Sequence, residues 1–402
     1  MGCIIIRRRD LNSAAIGKVT VSALLLSAVA FGIAPFASAS PGIAAVETSP
    51  QTVIVSSKSD ILRILKEVNT PTRIMVRPGN YGLLFLKDLA VPSGTVIQSA
   101  DANHAASFEG IRLDGVRGLS FARLSIEPKA SGPVAGRYGM LVVNSRSINV
   151  ESLAFRGPGS SVDSDFGAAL MLRNSSSINV ARSYFTNFRH GIAMLKLEAS
   201  TIEFNEFEKL QTDAIRGGGV SRTRIANNVI TDFSPKEKDH PDGIQLWTAR
   251  QRERAKDIVI EDNLVVRGKG EPIQGVFIRD NRLRLPFEDL RVTGNLVIGG
   301  LYNGISVGGA DGVRLLENTV ISRPDQKSWI RLEHTRNTYA SRNSAAAYVV
   351  KNNPMPPNVR NNELTKPVGG NLSRTISAWV RSKEGFATYR GAVLQRLMKR
   401  GE

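Results

Sequence analysis

From about residue 53 onward the chain alternates apolar and polar positions in short runs, as in Ile148-Asn149-Val150, Ile178-Asn179-Val180, Ile258-Val259-Ile260 and Leu290-Arg291-Val292. Alternation at period two is the signature of a strand with one buried face. Three residues after the last inward apolar position of most runs stands an asparagine: Asn205, Asn228, Asn263, Asn295, Asn318, Asn343 and Asn362. The intervals between them are 23, 35, 32, 23, 25 and 19 residues. A fixed local pattern at elastic spacing excludes a helical solenoid of constant period. It predicts a coil with constant strands and variable loops. Asparagine suits the bend of such a coil, because it tolerates a left-handed backbone and its amide can bond the amides above and below. Roughly ten coils at ~4.8 Å spacing would make a rod on the order of 50 Å long.

One segment breaks the alternation. Ser57 to Val68 puts Ile61, Leu62, Leu65 and Val68 on one helical face, with Ser57 as N-cap, Asp60 three residues on, and Pro71 as the stop. The strand Arg73-Ile74-Met75-Val76 and the turn Pro78-Gly79-Asn80-Tyr81 follow. A helix, a strand and a Pro-Gly-x-Tyr turn in this order resemble the opening of secreted right-handed parallel β-helix proteins. In those proteins the helix plugs the first coil and shields the sheet edge. The expected fold is all-β: a single right-handed parallel β-helix over 53–365, with its capping helix at about 57–68. After Val359 the strand pattern fades, and 366–402 reads as a basic helical tail, with Ser373 to Lys399 closing the far end.

The N-terminus adds a destination. Arg7, Arg8 and Arg9 precede an apolar run from Val19 to about Phe36, and Ala37-Ser38-Ala39 has the form of a cleavage site. Residues 1–39 therefore read as a signal peptide and 40–52 as a linker. The run is short and Pro-broken for a stable membrane span. Arg8-Arg9-Asp10-Leu11 resembles a twin-arginine export signal, so the route is Sec or twin-arginine and the expected location periplasmic or secreted. The one cysteine, Cys3, lies inside this segment, which excludes disulfides and a thiol nucleophile from the exported part. The formal charge of the whole chain is +17, and beyond residue 39 it is still +14, from 49 basic and 35 acidic side chains. Such a chain expects a polyanion. An exported one meets glycans before nucleic acid, and the expected partner of this monomer is an acidic polysaccharide.

Chemistry concentrates in Lys238-Asp239-His240-Pro241-Asp242-Gly243-Ile244-Gln245-Leu246-Trp247. Asp213-Ala214-Ile215-Arg216, Gln274-Gly275-Val276-Phe277 and Asn303-Gly304-Ile305-Ser306 read as weaker copies of its centre. Aligning the copies gives three columns. The first holds His190, Asp213, Asp242, Gln274, Asn303 and Ser328. The second holds Ala193, Arg216, Gln245, Phe277, Ser306 and Arg331, and the third Leu195, Gly218, Trp247, Arg279, Gly308 and Glu333. Side chains of the last two columns point the same way, so Arg216, Gln245, Trp247, Arg279, Arg331 and Glu333 should crowd one face. Lys238 and His240 should sit at its rim, with His334 nearby. His190 reads as a stacked structural residue.

That set suits an acidic sugar chain. Trp247 and Phe277 offer flat apolar faces, Arg216, Arg279 and Arg331 can fork onto carboxylates, and Gln245 can bond hydroxyls. A rod of this kind with a basic groove resembles the polysaccharide lyases and uronate epimerases. The resemblance implies removal of the proton beside a uronate carboxylate, for which a cation must neutralise the carboxylate and a tuned base must take the proton. The candidate base is His240 or Lys238, with Asp239 to orient His240. The candidate neutraliser is Arg216, Arg279 or a Ca²⁺ held by Asp213 and Asp242, two acids one coil apart that repel unless a proton, cation or substrate lies between them. Two other readings stand beside this one: a glycoside hydrolase using Asp213 and Asp242, and a non-catalytic glycan-binding or envelope rod. His-Pro-Asp-Gly here, and the absence of Gly-His-Gly, depart from the pattern of β-helix pectin hydrolases.

Overall fold

The computed structural model describes residues 4–6, 50–103, 105–129, 138–158, 167–280, 282–353, 358–387 and 395. The signal-peptide reading falls almost wholly outside them. Nearly all described strands pair in parallel, each with the equivalent strand one coil before and one coil after. A 21-stranded sheet supplies two of the coil's faces and a 12-stranded sheet the third. Within one coil the chain runs, for example, through Asp242–Trp247 on the first face, Lys256–Glu261 on the second and Leu264–Val266 on the third. Parallel strands joined this way have both faces committed, one to the interior and one to the outer surface, and the result is a parallel β-helix.

Inward β-branched residues set the register. Ile192, Ile215, Ile244, Val276, Ile305 and Ile330 stack in one column, each at most 1% exposed. A one-residue slip would turn all of them outward, so the register is strongly specified. Phe155, Phe185 and Phe207 form an aromatic stack in the same core, with centroids 4.6 and 4.7 Å apart.

The seven asparagines form one continuous ladder between the second and third faces. Asn263 is representative: its Oδ1 accepts from the backbone N of Asn228 (3.1 Å) and from Asn228 Nδ2 (2.9 Å). Its own Nδ2 donates to Asn295 Oδ1 (3.0 Å) and to the carbonyl of Ile225 (2.9 Å). The left-handed bend, however, is not at the asparagine. It falls one residue earlier, at Asn227 (φ 54°), Asp262 (φ 52°), Glu317 (φ 57°) and their equivalents. That residue turns the corner, and the asparagine behind it faces inward to collect the amide and carbonyl groups the corner frees.

Helix α1 (Lys58–Glu67) has Ser57 as its N-cap, whose Oγ accepts from Asp60 N at 3.1 Å, and lays Ile61, Ile64 and Leu65 against the core. Helix α2 (Ser373–Ser382) takes a different place from the expected end closure. Leu372, Ile376, Val380 and Phe386 pack along the flank, on Val229, Leu264, Val266, Leu296, Ile298 and Ile321 of the third face. These outward positions are apolar on successive coils, and a helix with one apolar stripe is what covers such a strip. Trp379 Nε1 donates to the Gly294 carbonyl (3.2 Å) and Lys383 pairs with Asp262 (2.7 Å), which fixes the helix on the sheet. No helix among the described residues is long and apolar enough to cross a membrane.

Candidate active site

The columns read from the sequence coincide with the observed register: Ala193, Arg216, Gln245, Phe277, Ser306 and Arg331 align, as do Leu195, Gly218, Trp247, Arg279, Gly308 and Glu333. Both columns face outward on the first face. The buried first column carries a hydrogen-bonded chain across five coils. His190 faces Asp213 Oδ2 at 3.4 Å, and Asp213 Oδ1 accepts from the backbone N of Asp242 at 3.1 Å. Asp242 Oδ2 meets His240 Nδ1 at 2.9 Å, and Gln274 Nε2 reaches His240 Nε2 at 2.6 Å. Asn303 Nδ2 closes the chain on Gln274 Oε1 at 2.5 Å.

Donor and acceptor roles follow from the partners that have no choice. An amide N–H can only donate, so Gln274 donates to His240 Nε2, and His240 Nδ1–H donates to Asp242. Asn303 Nδ2 holds Gln274 Oε1, which leaves Gln274 Nε2 toward the ring. At the other end of the chain Arg216 donates to His190 Nε2 (3.0 Å), while His190 Nδ1 faces Thr212 Oγ1 and the backbone N–H of Asp213 (3.4 Å). Burial depresses the His190 pKa and keeps that ring neutral.

Asp242 is the electrostatic centre. It is 0% exposed, while the His240 side chain that it holds is 57% exposed. Burial pushes its carboxyl up to about 7, against the opposing hydrogen bond from His240 and with the Asp213 charge adding to the rise. Asp242 Oδ2 collects His240 and Gln245 Nε2 (2.5 Å), whereas Oδ1 is buried and receives no donor. The Asp242 bond in turn raises the His240 pKa. The pair is a buried carboxylate holding an exposed imidazole, and the ring nitrogen turned away from it accepts from Gln274.

Arg216 lies beside the pair. It donates to Asp213 Oδ2 at 3.1 Å, and its guanidinium sits 5.0 Å from the Trp247 ring centroid. Trp247 leans over the preceding coil because Gly218 is there. A Cβ at Gly218 would come within 2.6 Å of the indole nitrogen. Phe277 meets the His240 ring edge-on at 5.2 Å.

Other expected residues lie elsewhere. Lys238 is exposed in the turn before His240 and makes no hydrogen bond or ion pair among the described residues. Asp239 points away from His240, accepting from Gln211 Nε2 and Lys236 N at 2.8 Å each; the residue that orients the imidazole is Asp242. Arg279 is aligned with Trp247 but projects into solvent. Arg331 stands three coils beyond Gln245 and is paired with Glu333 at 2.6 Å, and His334 bonds Asn352 at 3.5 Å. The calcium set does not fit. Asp213 spends both oxygens on Arg216, His190 and a backbone N–H, and Asp242 has one oxygen free, far short of the six to eight oxygens Ca²⁺ takes. No group of three His, Cys, Asp or Glu that could hold a metal occurs among the described residues. Sequence reasoning set His190 aside and left Gln274 and Asn303 without a role. Their membership of the first column was the signal that they belong to one network.

Residues 138–320 match the sequence family described as right handed beta helix region. No curated protein matches the chain. Among solved structures, a mannuronic acid specific family 6 polysaccharide lyase from human gut microbiota superposes with a TM-score of 0.57 at 14% identity, over 79% of this chain and 82% of that one. The surface adhesin PfbA of Streptococcus pneumoniae gives 0.51 at 12% identity, over 76% and 87%. An alginate lyase from Paenibacillus sp. str. FPU-7 gives 0.45 at 12% identity, over 79% and 99%. At their identities the first two superpositions and the family match show a likeness of fold: the chain is a right-handed parallel β-helix.

Proposed function

We propose that this protein is an exported carbohydrate-active enzyme that removes the proton beside the carboxylate of a uronate residue in an acidic polysaccharide. The observation that carries the reading is the exposed imidazole of His240 held through Nδ1 by the fully buried Asp242. In this reading His240 Nε2 is the base, released when Gln274 exchanges the ring for substrate. Arg216, braced by Asp213 and Trp247, faces the substrate carboxylate and stabilises the charge that builds there. Gln245 and Phe277 hold the sugar. The electron pair left on carbon forms a double bond as the glycosidic C–O bond breaks, and the proton on His240 passes to the leaving oxygen. If that bond survives instead, a proton returned to the opposite face gives the epimer. The two buried aspartates speak against the hydrolase reading, since at 2% and 0% exposure neither offers a carboxyl to a sugar carbon.

The test is incubation of the purified protein with a panel of acidic polysaccharides, read by ultraviolet absorbance, product mass and deuterium uptake. A new absorbing double bond means elimination, and deuterium without cleavage means epimerisation. Loss of either signal in His240→Ala supports the assignment. Products one water heavier, or full activity in His240→Ala, would overturn it.

A further inference from the structure

Four consecutive coils each present an aromatic side chain at the first face: Trp247, Phe277, Tyr302 and Trp329. They do not stack in one column. Asp242 is aligned with Gln274, and the Val276–Ile305 pairing aligns Gln274 with Asn303. Relative to those positions Trp247 lies five residues along its strand, Phe277 three along, and Tyr302 one before. At ~3.3 Å per residue and ~4.8 Å per coil, the trail moves about 20 Å along the strand direction while advancing about 10 Å along the axis. Its far end is a pair: Tyr302 is 57% exposed, and its ring centroid lies 5.3 Å from Trp329 at a 33° tilt. Two buried polar atoms there, Asn303 Oδ1 and Trp329 Nε1, have no hydrogen-bond partner. His240 sits over the middle of the trail, against the edge of Phe277.

We propose that the bound polysaccharide crosses the first face obliquely, from Trp247 over Phe277 to a distal sugar-binding subsite built by Tyr302 and Trp329. The alternative course follows the axis, along Arg216, Gln245, Phe277, Ser306 and Arg331. It ends on an arginine already neutralised by Glu333. The oblique course ends on an unoccupied aromatic face, which is what a pyranose ring stacks on. The subsite then sets the minimum chain length the protein grips.

The inference rests on the acidic-glycan reading above but not on turnover. Uronate oligosaccharides, from dimer to hexamer, would be titrated calorimetrically into the His240→Ala protein, alone and combined with Tyr302→Ala, Tyr302→Phe or Arg331→Ala. Tyr302 is exposed enough for its removal to leave the fold intact, and Tyr302→Phe keeps the platform. Expected is a three- to tenfold weaker hexamer affinity in Tyr302→Ala, an unchanged dimer affinity, restoration in Tyr302→Phe, and no effect of Arg331→Ala. Weakening by Arg331→Ala with no change in Tyr302→Ala would overturn the oblique path, as would no change in either. Hexamer binding that depends on Tyr302, in a wild-type protein that never turns substrate over, would keep the subsite and remove the catalytic reading. Absence of binding to every oligosaccharide would remove both.

Discussion

Asp242→Asn should make the protein more stable and less active at the same time. The carboxyl is raised from 3.8 to about 7 by burial. A raised carboxyl binds more protons in the folded state than in the unfolded state between those two values, so stability falls as pH rises through that window, and the cost is complete above about pH 7. About three units at 1.36 kcal/mol each put the cost at up to ~4 kcal/mol. Asparagine cannot ionise and escapes it. Its amide oxygen can still accept from His240, but its Nδ2 must then occupy the place of Oδ1, which has no partner. An unsatisfied buried donor costs about 1–3 kcal/mol. The net expectation is a variant about 1–3 kcal/mol more stable than wild type at pH 8, the advantage disappearing toward pH 4. Activity should fall by about 10²–10⁴, the range of a general base, because a neutral amide neither fixes the Nδ1–H tautomer as firmly nor raises the basicity of the ring. Urea unfolding at several pH values, with rates on the same samples, measures both. A variant that is less stable at pH 8 and fully active would refute the account of the dyad.

The same linkage shapes the pH profile: kcat/KM should rise with deprotonation of His240 at a pH above 6.5, and the limb should move to lower pH in Asp242→Asn, where a neutral amide replaces the carboxylate that favours the charged ring. Arg216→Gln leaves the buried Asp213 without its cation, so it should lose about 3–5 kcal/mol of stability by denaturant titration as well as activity. Asn263→Ala, at 0% exposure in the middle of the ladder, orphans two donors of Asn228 and the Ile225 carbonyl and should cost about 3–5 kcal/mol. Asn362→Ala frees two donors of the buried Asn343 and the Ala340 carbonyl and should cost about as much; no loss at either position would show that the ladder is not what the asparagines contribute.

Much of this architecture is legible in the residues, because a coil repeats the same local demands. The inward Ile and Val column and the asparagine beside the corner recur in most copies, and together they align Arg216 with Gln245 and Trp247 with Arg279. What the repeat does not encode is the path of the unrepeated segments. Lys238, Asp239 and His240 are adjacent in sequence, and only the turn decides that His240 folds back onto Asp242 while Asp239 goes to Gln211 and Lys236. The destination of α2 was hidden for a related reason. The apolar strip that receives it is spread over Val229, Leu264, Leu296 and Ile321, each of which looks in its own strand like one more core residue. Tyr302 escaped notice because it stands one residue outside the aligned block.

The strongest argument for function is where the fold breaks its own rule. In the inward column Ile192 to Ile330 every coil is apolar, yet two residues earlier on each strand stand Asp213, Asp242 and Gln274, buried and polar, with the half-buried His190 before them. Burying such groups is costly unless they bond one another, and a half-satisfied network is worse than an apolar one. This network is half-satisfied at two points, Asp242 Oδ1 and Asn303 Oδ1, and the Asp242 carboxyl holds the more exposed of its two imidazoles, His240 at 57% against His190 at 12%. A purely structural ladder has no use for that arrangement, as the asparagine ladder on the opposite corner demonstrates by leaving its own amides paired on both sides. A site that must move a proton does: it needs a carboxylate kept from water so that it acts through the ring in front of it. The cost at Asp242 and the exposure of His240 are therefore one feature, and the asparagine substitution separates its two halves.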